Sequence, residues 1–238
     1  MIGTRFERPG RVALALAALA AACLFAVLAG APEPAGAAQV SQIGQTKRMP
    51  NPDCPHSPCL VEGHVTGFQT AASGVKHPYV VPKDGSIVAW SIEVSRPTKK
   101  QRKAFGKLLK APDFGTAPTA RLAVLTKAGN KGSRYKLRRQ TPVANLTNVL
   151  GTTPIFSLKS ALRVKKGDVV ALTVPTWAPM FATDQPRSST WRASRAKGKC
   201  GSNDVPTGKP QTKTGTTRAY GCDYTTNRLL YWAYFVKG

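Results

Sequence analysis

Hydrophobic and polar positions alternate with period two in several short segments of this chain. In GSIVAWSIEV (85–94), Val88, Trp90, Ile92 and Val94 fall on one side, with Ala89, Ser91 and Glu93 on the other. That spacing predicts a strand with one buried face. ARLAVLT (120–126) is a second such strand. SRYKLRRQT (133–141) sets Tyr135, Leu137 and Arg139 against Lys136, Arg138 and Gln140. PIFSL (154–158) is short. LRVKKGDVVALTV (162–174) reads as a short strand, a Lys-Gly-Asp turn and a longer strand with Val170, Leu172 and Val174 on one face. RLLYWAYFV (228–236) is apolar on both faces, which predicts a central strand. Weaker strand signals lie at 59–67, 77–81, 179–183 and 190–194. Strands at this spacing, with Gly and Pro between them, predict an all-β fold, an antiparallel β-sandwich.

One stretch breaks the alternation. SRPTKKQRKAFGKLLKAPDFG (95–115) is poor in β-branched residues and rich in helix formers. Pro97 suits the first turn and Pro112 bars continuation, so one inserted basic helix is expected near 97–110. Phe105, Leu108 and Leu109 are spaced as one apolar stripe that must dock or enter a membrane surface; docking is expected, because three apolar residues are few for insertion. Gly106 costs about 1 kcal/mol relative to Ala, so the helix depends on that docking.

The N-terminus changes the picture of where the chain lives. Arg5, Arg8 and Arg11 precede the uncharged run Val12–Gly30, and small residues follow up to Ala38. That order predicts a secretory signal peptide over 1–38. The alternative is an uncleaved membrane anchor, since the run is near the lower limit for spanning a bilayer. A lipidated Cys23 fits poorly, because the apolar run continues past it. Residues 39–53 are expected to be a linker and 54–238 a single sandwich domain. Three arginines and two glutamates leave with 1–38. The rest holds 32 Lys and Arg against nine Asp and Glu, a net of +23.

Outside Cys23 the cysteines are Cys54, Cys59, Cys200 and Cys222. An even count in an exported chain predicts disulfides. Three connectivities are open. Cys54–Cys59 and Cys200–Cys222 are favoured because each closes a local Pro- and Gly-rich loop. Such loops are worth roughly 2 and 3 kcal/mol on the chain-entropy model. The rival is zinc held by Cys54, His56, Cys59 and His64, but the spacing is irregular and the compartment oxidising. No metal or other cofactor is expected.

VPKDGSIVAWSIEV, LRVKKGDVVALTVPTWAP and the terminal YGCDYTTNRLLYWAYFV resemble a group of uncharacterised secreted β-sandwich proteins of bacteria, over roughly 55–238. The first two also resemble, loosely, jelly-roll modules of the carbohydrate-binding type. The resemblance implies a jelly-roll-like fold and export, and carries no catalytic residues.

The chemistry for catalysis is thin. Glu62 and Glu93 are the only glutamates after residue 38, and Glu62 and His64 share a face if 59–67 is a strand. That pair is the one candidate base and orienter. There is no G-x-S-x-G, H-E-x-x-H or P-loop. The reading leans away from an enzyme. A net of +23 instead favours polyanions. The expected function is a secreted, non-enzymatic binding module for an anionic polysaccharide or other envelope polyanion. The expected site is Lys99, Lys100, Arg102, Lys103, Lys107 and Lys110 on the helix, with Trp177 and Trp191 as stacking rings. No specific nucleic-acid partner is expected, a membrane partner only if 1–38 is retained, and the oligomeric state is open. The alternatives are a secreted hydrolase with an unrecognised site and a purely structural envelope protein.

Overall fold

The structure is a computed structural model and describes residues 39–129 and 132–238. The expected signal peptide and Cys23 lie outside the described residues. In chain order the strands are β1 (Val40–Ile43), β2 (Glu62–Ala72), β3 (Val75–Lys76), β4 (Gly85–Ile92), then, after helix α1 (Lys99–Leu108), β5 (Thr119–Lys127), β6 (Arg134–Gln140), β7 (Ala144–Asn145) and β8 (Ile155–Val164). β9 (Val169–Ala178), β10 (Phe181–Ala182), β11 (Thr190–Ala193), β12 (Thr217–Ala219), β13 (Cys222–Thr225), β14 (Arg228–Leu229) and β15 (Tyr231–Lys237) follow. Every pairing among them is antiparallel. The smaller sheet runs β1-β15-β4-β8 and the larger β12-β6-β5-β9-β2-β11-β13. The all-β, sandwich-like expectation with one inserted helix holds.

The core lies between the sheets. Ile87, Ile92, Ala233 and Phe235 from the smaller sheet meet Val65, Leu122, Val124, Val170 and Leu172 from the larger. The Tyr231 hydroxyl crosses the interface and donates to the Val170 carbonyl at 3.2 Å. β15 sits between β1 and β4, as its two apolar faces predict. Three expectations need correction. Residues 39–53 do not begin as a linker, because Val40–Ile43 pairs with Val236–Ala233 of β15. Ile87, not Val88, is fully buried, because a register irregularity between Ile87 and Ala89 resets the alternation in β4. β9 is buried on both faces, not one. Its outer residues Thr173 and Thr176 bond the hydroxyls of Thr66 and Thr119 at 2.9 and 2.6 Å.

The 196–220 loop helps to cover that outer face. Gln211, 1% exposed, is its anchor. Its backbone N–H donates to Thr66 Oγ1 at 2.9 Å, and its side chain donates to the Tyr135 and Thr216 carbonyls and accepts from the Tyr220 hydroxyl. The Cys200–Cys222 bond tethers the loop, and Cys54–Cys59 closes the other short loop. Both favoured pairings are therefore present. With its sulfurs bonded to each other, the Cys54–Cys59 pair supplies no thiolate for the zinc alternative. Two disulfides fit an extracellular or secreted protein.

Candidate anion-binding site

α1 is set by local signals. Thr98 caps it: the Gln101 N–H donates to the Thr98 hydroxyl at 3.2 Å, and the Thr98 N–H donates to the Gln101 side chain at 2.7 Å. This capping box gives acceptors to two otherwise orphan backbone N–H groups at the start of the helix. The helix therefore starts after Pro97 and spans two residues fewer at each end than the expected 97–110.

Docking fixes its orientation. Phe105 packs on Trp177 with ring centroids 5.5 Å apart, and Leu109 is buried. A Cβ on Gly106 would lie 2.8 Å from the Thr116 carbonyl oxygen, so glycine is what lets the helix come this close. Leu108 is 60% exposed and is no part of the buried stripe. One face of α1 then borders an open groove of about 450 Å³, lined by Lys99, Arg102, Lys103, Thr116, Leu150 and Trp177 among others. Lys99, Arg102 and Lys103 converge there because they are spaced i, i+3, i+4. Lys100, Lys107 and Lys110 do not line the groove.

No carboxylate offsets these charges. Among the described residues the ion pairs are Arg138–Asp168, Arg192–Asp223, Arg195–Glu62 and Lys199–Asp204, none of them on α1. The first turn holds no acid. Lys99 and Lys100 sit instead at the positive end of the helix dipole, where cations are disfavoured. Their placement does nothing for helix stability.

The expected stacking rings are not available. Trp177 and Trp191 are each 1% exposed. Trp177 donates its indole N–H to the Thr116 carbonyl at 2.8 Å and forms the closed base of the groove. Trp191 lies against Tyr224, centroids 4.6 Å apart, and Phe181. Both rings serve packing, because their large apolar faces are worth more buried between elements than exposed.

The Glu62–His64 pair also takes another form. β2 has an irregularity between Gly63 and Val65, and His64 adopts φ 50°. That left-handed backbone at His64 interrupts the alternation, so Glu62 and His64 do not share a face. Glu62 is buried and ion-paired with Arg195, whose guanidinium also donates to the Tyr224 hydroxyl at 2.7 Å. His64 faces the Pro206 carbonyl through Nδ1 at 2.8 Å and the Leu109 carbonyl through Nε2 at 3.1 Å. It thus bridges the end of α1 to the 196–220 loop, a structural role.

A second basic cleft, about 380 Å³, escaped the sequence reading. Arg195, Lys199, Lys209 and Arg218 line it, with Asp204. The four cations are spread over 24 positions, and only the loop's return across the sheet brings them together. No family model, curated protein or solved structure matches this chain.

Proposed function

We propose that this protein is a secreted, non-enzymatic binding module for an anionic polymer of the cell envelope or extracellular space, with α1 as its contact. The observation that supports the reading is the set of five cations on α1, with Lys110 just beyond its end, none with a carboxylate partner and three of them converging on one groove. Their like charges repel each other, Lys99 and Lys100 also oppose the helix dipole, and a polyanion relieves both costs at once. An open groove bordered by long flexible cations suits a repeating charge better than one shaped small molecule. Binding of this kind releases counterions, so affinity falls steeply with salt.

The test is a salt titration of binding to polyphosphate and to a uronic-acid polysaccharide. Changing Lys99, Lys100, Lys103 and Lys107 together to Gln is expected to weaken binding to both polymers. The slope of log affinity against log salt should flatten by roughly three. Melting temperature should change little, since exposed lysines contribute little to folding. Equal affinity of the variant and the parent at low salt rejects α1 as the contact.

A further inference from the structure

Arg228 opens the run RLLYWAYFV, and it is buried to 1% exposure. It forms none of the ion pairs among the described residues. Nη2 donates to the Gly44 carbonyl at 2.6 Å and lies 3.6 Å from the Met49 sulfur. Nε and Nη1 have no partner, which leaves three N–H donors unused. The guanidinium lies 5.9 Å from the centre of the Tyr79 ring. Tyr79 cannot serve as a counter-ion, because burial pushes its phenol well above the ordinary value and keeps it neutral. The acids of the neighbouring turn are used elsewhere. Asp53 accepts from the Thr183 N–H at 2.9 and 3.0 Å, and Asp184 lies 3.5 Å from the Thr183 hydroxyl.

A guanidinium stays charged at physiological pH, and a buried charge without a partner is strongly unfavourable. This one is held in place by design of the surroundings. Gln69 accepts from the Leu229 N–H and donates to the Asn227 carbonyl, both at 2.9 Å, which fixes the chain on either side of Arg228. Gln69 also donates to Ser189 Oγ at 3.0 Å. Gly44, with φ +96°, brings its carbonyl to Arg228, and a Cβ there would stand 2.1 Å from the Tyr79 ring. Arg228 lines a cavity of about 400 Å³ together with Arg48, Ser73, Gln185, Ser188 and Ser189. No carboxylate lines it.

We propose that this cavity binds a small ligand bearing an oxyanion, a phosphate, sulfate or carboxylate group, with Arg228 as the buried counter-charge and Arg48 at the rim. Ser189 already donates to the Asn227 carbonyl, but Ser73, Ser188 and the second amide hydrogen of Gln185 supply uncharged donors of the kind that complete an oxyanion's shell. The cavity is distinct from the α1 groove and shares no lining residue with it.

The experiment measures thermal unfolding of the oxidised protein in inorganic phosphate, sulfate, acetate or chloride at matched ionic strength, with calorimetric titration of inorganic phosphate and glycerol phosphate. An oxyanion is expected to raise the melting temperature above the chloride value. Arg228→Met should abolish that rise. In chloride alone, Arg228→Met should melt no lower than the parent, because it removes an unpaired buried charge. If Arg228→Met does not fold, Arg48→Gln provides the second variant, with phosphate affinity expected to fall roughly tenfold. The variant with Lys99, Lys100, Lys103 and Lys107 changed to Gln should keep the full effect, which separates this cavity from the helix. Preference for glycerol phosphate over inorganic phosphate would mark the ligand as a phosphorylated organic group; the reverse would mark a free anion. The proposal is overturned if no oxyanion stabilises beyond chloride. It is equally overturned if the stabilisation survives Arg228→Met or Arg48→Gln undiminished.

Discussion

Arg195 reaches Glu62 from just beyond β11, and both side chains are almost wholly buried. Burial opposes the charge on Arg195, but the Glu62 carboxylate overrides it and raises the guanidinium above its usual range. Such a pair is costly to break and cheap to delete as a unit, because removing one partner strands the other. Arg195→Met is expected to destabilise by about 3–5 kcal/mol in urea unfolding, and Arg195→Met combined with Glu62→Gln to recover most of that loss. Equal losses in the single and double variants would show that packing, not the pair, carries the effect. Little of this was legible in the chain. Glu62 stood out beside His64, two positions away, and that neighbour was the wrong partner. Its real partner lies 133 positions on. Arg228 was also visible only as the charge at the head of an apolar run.

At the scale of elements, α1 was the most legible part of the site. A capping residue, a break at Pro112 and an apolar spacing all act within one or two turns, so they are readable along the chain. Whether Leu108 or Leu109 would dock was not, because the answer depends on where β9 and Thr116 lie. The charges on α1 carry a prediction of their own. Changing Lys99 and Lys100 to Glu places acids where the first turn now has none, and each should gain about 0.3–1 kcal/mol from the dipole. The double variant should therefore unfold at higher urea while binding polyphosphate more weakly. A fall in stability would show that the two lysines have a fold role absent from the ion pairs described. β8 was less legible. Two short strand signals, 154–158 and 162–164, belong to one edge strand that pairs with β4 at both ends, through Ile155–Ser157 and Leu162–Val164, and is out of register with it between.

At the scale of the molecule, Tyr79, Tyr220 and Tyr231 are buried, and burial pushes all three phenols well above the ordinary value near 10. Below about pH 10 both folded and unfolded chains keep these protons and the three tyrosines cost nothing. Above it the unfolded chain ionises first, so stability falls by about 1.4 kcal/mol per pH unit for each tyrosine. An alkaline titration followed by near-ultraviolet absorbance should show three of the six tyrosines ionising only as circular dichroism reports unfolding. Ionisation of all six before unfolding would contradict the burial. The sequence by itself determined the strand-rich class, the inserted helix and the excess of cations, and it favoured the local cysteine pairings that the structure holds. Each of these depends on residues close along the chain or on a simple sum over it. Only the tertiary structure decided that the tryptophans of 177 and 191 are closed off, that β9 is covered on both faces, that residues 40–43 form a strand, and that Arg228 faces a cavity without a counter-ion. Those outcomes turn on register irregularities and on contacts between segments tens to nearly two hundred positions apart. Burial and charge neutralisation are set by whatever chain comes to lie across a residue, and local spacing does not encode it.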